Sequence, residues 1–401
     1  MRNLFQSTWV APLFGAVLAV SALGSQQVVF AADKVADEIP TFKYDPDWPK
    51  PLPNAWVTGQ VGGVFMEKND HLWIAQRPAT TTGITERYAL TEGGSCCAPP
   101  PPIIEFDPQG NMVQAWGPIH VQDPQTKKQV LLPKQVSGPY PDDMWPVSEH
   151  AVYVDYKNNV WVVNNAAPSQ VVKMTRDGKF IMRIGKEQAK SSNDKENLAG
   201  PTGVYVDPKT NEVFISDGYQ NRRVVVFDAD TGKYRRHWGA YGKQPPDGPQ
   251  QTGIEAVDPV KQKEQFAVTH CIMAGNNGLL YVCDRANSRI QVFKKDGTFV
   301  REGFIQPREK GLGTLCGLAF SADPEQRFIY IANPADKNII IVRHSDLKVL
   351  GTFGVGGREG GRFMEVHSLA VDSKGNIYTG ETTGNNRVQR FLFTGLKPLS
   401  K

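Results

Sequence analysis

Three histidines stand at one register of a unit that recurs six times along the chain, and they stand on alternate copies. The copies open with Gly62-Gly63-Val64-Phe65, His150-Ala151-Val152-Tyr153, Thr202-Gly203-Val204-Tyr205, His270-Cys271-Ile272-Met273, Cys316-Gly317-Leu318-Ala319 and His367-Ser368-Leu369-Ala370. If six copies close into a ring, His150, His270 and His367 lie about a third of a turn apart and converge on one axis. Imidazoles converging in this way suit zinc, which takes nitrogen ligands and keeps a fourth position open when it is catalytic. A lone histidine is more simply explained by a buried hydrogen bond. Three of the seven histidines at one register argue for a metal. His71, His120, His237 and His344 fall in turns or outer strands and read as ordinary packing or surface residues.

Two further side-chain types share a register at the end of the second strand of each unit. Arg77, after Ile74-Ala75-Gln76, aligns with Arg285, after Val282-Cys283-Asp284, and Tyr219 lies one place further along in the third copy. Two guanidiniums beside a metal favour an anion, most simply a carboxylate held bidentately. A tyrosine hydroxyl there can serve as a general base if its pKa is lowered.

The elements that must position these groups are short strands. Each copy has an alternating first strand, a turn such as Asp155-Tyr156-Lys157-Asn158-Asn159 or Asp372-Ser373-Lys374-Gly375-Asn376, and a second strand such as Val160-Trp161-Val162-Val163. A third strand follows (Arg223-Val224-Val225-Val226-Phe227), and a fourth is marked by Gly232-Lys233-Tyr234 and its equivalents. Aromatic and β-branched residues between Asn, Asp and Gly bends predict hairpins. Repeats of roughly 40–50 residues with four strands each predict an all-β, six-bladed β-propeller of four-stranded blades.

The spacing predicts a propeller over 56–395, with insertions near 78–148 and 240–268 that could wall a pocket at one mouth of the ring. Cys96, Cys97 and Pro99 to Pro102 lie in the first insertion. Residues 32–55 read as an extended lead-in and 396–401 as a tail. Residues 1–31 have the form of an export signal, with Arg2, an apolar stretch from Ala11 to Leu23 and a small-residue cleavage site at Val29-Phe30-Ala31. The mature protein is expected to be periplasmic or secreted, without stable membrane insertion after cleavage. A net charge of +4 with no long basic run gives no indication of nucleic acid. Five cysteines cannot all pair within one chain, and their connectivity is not readable from the sequence.

With these residues in view, the chain resembles peptidyl-α-hydroxyglycine α-amidating lyase, a six-bladed zinc propeller of the NHL-repeat group, over about residues 56–395. The likeness is strongest in Ser216-Asp217-Gly218-Tyr219-Gln220-Asn221-Arg222-Arg223 and in Asp284-Arg285-Ala286-Asn287-Ser288-Arg289. It implies zinc on His150, His270 and His367, Tyr219 as proton acceptor, and Arg285 and Arg77 on the substrate carboxylate. The implied reaction cleaves the N–C bond of a carbinolamide, giving an amide and glyoxylate, on a peptide or a small N-acyl substrate supplied by a separate hydroxylase or by spontaneous chemistry. The pattern departs where the lyase has an acid after its third histidine, associated with calcium. Here that residue is Ser368, and Glu365 replaces a methionine, so calcium is in doubt. Gln220, Tyr281 and Val292 stand where the lyase has disulfide cysteines. A non-catalytic NHL propeller that binds a protein or ligand, or another metal-dependent hydrolase or lyase on the same scaffold, is the alternative reading.

Overall fold

The computed structural model describes residues 38–81, 97–122, 129–131, 145, 148–247, 264–307 and 313–399. Six of their seven sheets are four-stranded blades, the seventh being the two-stranded pair His120–Gln122 and Gln129–Leu131, and successive innermost strands of the blades pack side by side until the sixth returns to the first. The innermost strands are Gln60–Met66, Glu149–Val154, Pro201–Asp207, Thr269–Ala274, Gly317–Phe320 and Val366–Val371. The fold is therefore the all-β, six-bladed propeller predicted from the repeat.

Six apolar layers hold the ring, one between each neighbouring pair of blades. Trp73, Val152 and Val162 belong to the layer between the first two, for example, and Ile290, Leu318 and Ile331 to that between the fourth and fifth. Second strands such as Val160–Asn164 are buried along their whole length because both faces meet another blade. At about 1.5–3 kcal/mol per fully buried large apolar side chain, these layers are the main source of stability. The first turns are fixed by their aspartates. Asp155 Oδ1 accepts the Lys157 and Asn159 amides at 2.8 and 2.9 Å, and its Oδ2 accepts Trp161 Nε1 at 2.8 Å.

Three expectations are corrected. Residues 78–148 are not one insertion, because Ile103–Phe106 and Met112–Trp116 are the outer two strands of the first blade. The prolines ahead of Ile103 obscure the strand signal, yet the sheet accepts them since Gln76 Nε2 donates to the Pro100 and Pro101 carbonyls. Within the expected lead-in, Glu38–Asp45 forms the outermost strand of the sixth blade, paired with Val388–Pro398. This pairing closes the ring with residues from opposite ends of the chain, and it carries the last blade past 395 into the expected tail. The candidate signal segment lies outside the described residues, as do Cys96 and residues 248–263 of the expected second insertion.

Candidate metal centre

A break in strand register creates the histidine positions. In five blades the innermost strand carries one extra residue against its partner, and the extra residues are Gly62, His150, Thr202, His270 and His367. Such a bulge leaves its residue unpaired and re-aims the side chain. The repeat register seen in the sequence is thus a register of β-bulges turned toward the channel.

The residue pairing just ahead of each bulge holds it in place. Asn164, Asp217, Asp284 and Glu381 end the second strands and Gln76 stands one residue before the end of its own, and each accepts an amide of the segment entering the bulge. Asp284 Oδ1 takes Ala267 and Val268 at 2.9 and 3.2 Å, and Glu381 Oε2 takes Met364 at 2.8 Å. In three blades an arginine locks the acid: Asp217–Arg223 at 2.9 Å, Asp284–Arg289 at 2.8 Å and Glu381–Arg387 at 2.9 Å. The repeated acid and arginine motif therefore builds the strand ends that carry the site.

The three imidazoles form a nearly equilateral triangle, with ring centroids 4.7, 4.9 and 4.9 Å apart. Each passes its Nδ1 proton to a main-chain carbonyl at the same register of the next blade. His150 donates to Thr202 at 2.7 Å, His270 to Cys316 at 2.6 Å and His367 to Gly62 at 2.7 Å. A carbonyl only accepts, so the proton is on Nδ1 and every Nε2 presents a lone pair. The alternation of histidine and non-histidine blades has this cause: one blade supplies the ring and the next supplies the carbonyl. Gly62 permits a close approach of the first two blades, because a Cβ there would meet the Glu149 carbonyl oxygen at 2.4 Å.

Burial, with the neighbouring cationic and imidazole groups, holds His150 and His270 well below the usual histidine range and His367 down to about 3. The rings are neutral near pH 7, the form a metal requires. The Tyr219 hydroxyl lies 3.2 Å from His150 Nε2 and 3.1 Å from His270 Nε2. One hydroxyl proton serves only one of those lone pairs, so a buried acceptor is left over. A Lewis acid at the triangle would satisfy it, and the residues fit a zinc ion.

Arg285 is buried, places Nη1 3.3 Å from the Tyr219 hydroxyl, and has no hydrogen-bond partner for Nε. Arg77 donates from Nε to the Glu149 carbonyl at 3.0 Å and from Nη1 to Gln60 Oε1 at 2.8 Å. Neither guanidinium is ion-paired among the described residues. All six residues singled out by register thus meet at one end of the channel.

Residues 270–293 and 363–391 match the NHL repeat. The chain is 34% identical over 364 residues to peptidylglycine alpha-amidating monooxygenase of Rattus norvegicus, covering 87% of this chain and 32% of that protein. It is 28% identical to peptidyl-alpha-hydroxyglycine alpha-amidating lyase 2 of Drosophila melanogaster over 60% of this chain and 53% of that one. The chain thus carries NHL repeats on a six-bladed propeller and is similar to amidating lyases, and it spans about a third or less of the length of the first curated relatives it matches. Among solved structures, a structural genomics protein of unknown function from Bacteroides thetaiotaomicron aligns with a TM-score of 0.50 at 12% identity, covering 90% of this chain and 76% of that one, which bears on the fold alone.

Within this lyase-like propeller the Tyr219 hydroxyl departs from the lowered pKa asked of a base. Burial raises it, outweighing the opposing pull of Arg285 and Arg77. Calcium finds no fit among the described residues: Ser368 Oγ is buried without a partner, and none of their carboxylates lines the channel at the histidines. A second acidic group, Glu67, His71 and Glu105, is closed by Arg176, which donates to Glu67 at 2.8 Å and to Glu105.

Sequence reasoning did not reach the carbonyl acceptors, whose residue types carry no signal. It also did not reach Glu149, whose main chain orients Arg77 and whose carboxyl burial pushes up to about 7. Cys271 and Cys283 form a disulfide, Cys97 is also disulfide-bonded, and Cys316 is a buried free thiol.

Proposed function

We propose that the chain is an exported, zinc-dependent lyase that cleaves the N–C bond of a peptidyl- or N-acyl-α-hydroxyglycine, giving an amide and glyoxylate. The observation that carries this reading is the triangle of Nε2 lone pairs beside Tyr219 and an unpaired, buried Arg285. The relatives' names point the same way, and the cross-strand disulfide is consistent with an oxidising compartment.

His150, His270 and His367 would hold the zinc, which when bound supplies a Lewis acid for the substrate hydroxyl and favours ionised oxygen nearby. Arg285 offers its unpartnered Nε–H to the carboxylate, with Arg77 as a second cation. Tyr219 is the group placed to accept the hydroxyl proton. As the hydroxyl-bearing carbon becomes the aldehyde of glyoxylate, the N–C electron pair goes to nitrogen, which takes a proton to become the amide. The hydroxyl proton lost balances the proton gained by nitrogen, and no water is consumed. A hydroxylase acting beforehand would supply the substrate.

The test is glyoxylate release from an N-acyl-α-hydroxyglycine by zinc-loaded protein. Release that disappears in Tyr219→Phe and Arg285→Met supports the reading. Equal release by the wild type and both variants rejects it.

A further inference from the structure

Among the three bulges that present histidines, the one carrying His270 is flanked by a covalent bond. Cys271 follows His270 directly and is paired in register with Cys283, to which it is joined at a Cα–Cα distance of 4.9 Å. Cys283 stands two residues before Arg285 on the neighbouring strand, and the Arg285 amide donates to the Val268 carbonyl at 2.8 Å. On the other side of the bulge, Thr269 pairs with Asp284, whose carboxylate is locked by Arg289. The equivalent positions flanking His150 are Ala151 and Val163, and those flanking His367 are Ser368 and Gly380, pairs that cannot cross-link.

We infer that the Cys271–Cys283 bridge is a positioning device that fixes the His270 bulge relative to Arg285, so that metal affinity depends on the bridge being closed. A bulge lacks the ladder bonds that would otherwise fix its residue, and a ligand held by its surroundings binds metal better than one that must be ordered. Closure of the bridge orders the residue next to the ligand and ties two halves of the site, the metal ligand and the anion-binding arginine, through one bond. Cys283 is fully buried, so the bridge is shielded once the blade has formed. The inference rests on the metal reading above.

The test compares zinc dissociation constants, measured by competition with a chromophoric chelator, for wild type, Cys271→Ala/Cys283→Ala and Ile331→Ala. Ile331 lies in the apolar layer that includes Cys283 and touches no ligand, so its truncation controls for a loss of stability alone. At a temperature where all three are folded, the cysteine variant should bind zinc roughly tenfold more weakly, while Ile331→Ala matches wild type. If that variant does not fold, Cys271→Ala/Cys283→Val, which reproduces the Ala151 and Val163 pair beside His150, takes its place. Equal affinity with the bridge open and closed overturns the inference and leaves the metal site standing. Wild type that binds no zinc overturns both.

Discussion

Arg285→Met separates a residue kept for a ligand from one kept for the fold. Arg285 is 5% exposed, makes no ion pair among the described residues and leaves Nε without an acceptor. A buried unsatisfied donor costs about 1–3 kcal/mol. Its stacking on Tyr219, with the guanidinium carbon 5.3 Å from the ring centroid, returns about 2 kcal/mol at this desolvated site. Methionine keeps the length of the stem and removes the orphan, so the substrate-free protein should be unchanged within about 1 kcal/mol. Substrate should pay the opposite way: two charge-assisted hydrogen bonds to a carboxylate, at about 1.5–2 kcal/mol each, amount to roughly 100- to 1,000-fold in kcat/KM. Denaturant unfolding of substrate-free protein and glyoxylate release measure the two effects. A variant that loses more than about 1 kcal/mol of stability would refute the reasoning and assign Arg285 to the fold.

Tyr219→Phe should lower kcat by about 10²–10⁴-fold with KM little changed, read by steady-state glyoxylate release. Asp284→Ala removes the inner acid of the buried Arg289, which keeps Glu302 at 3.2 Å, and frees two amides ahead of the His270 bulge, so denaturant unfolding should show a loss of about 2–4 kcal/mol. His237, held down to about 4 by burial and then by Arg223 and Lys195, binds its proton less readily in the folded chain than in the unfolded one. Stability should therefore fall as pH falls from about 6.5 to 4, and His237→Gln should flatten that slope by about 1–2 kcal/mol after discounting for solvent screening, measured by unfolding at pH 7 and 4.5.

The parts of the site legible in the sequence are those in which residue type and strand register carry the same message. His150, His270 and His367 could be aligned because each replaces Gly62, Thr202 or Cys316 in an otherwise recurring strand. Arg77 and Arg285 could be aligned because both stand at the end of a second strand, directly after Gln76 and Asp284. The bulge itself left no compositional mark, since an extra residue is seen only against its partner strand. Nor did the acceptors for the three Nδ1 protons, because a main-chain carbonyl looks the same under any side chain. The Cys271–Cys283 bond depends on that same bulge, which sets which residues stand opposite. Glu38–Asp45 was missed as a blade strand because its partner, Val388–Pro398, is at the far end of the chain. The raised pKa of the Tyr219 hydroxyl follows from depth of burial, which a strand pattern does not convey.

Zinc binding by three neutral Nε2 atoms at one end of the channel is measured by equilibrium dialysis against buffered zinc, followed by elemental analysis, on wild type and His150→Ala/His270→Ala. The expected result is about one zinc per wild-type chain and close to none in the variant. Wild type that emerges without zinc, or a variant that retains it, would rule out this metal centre.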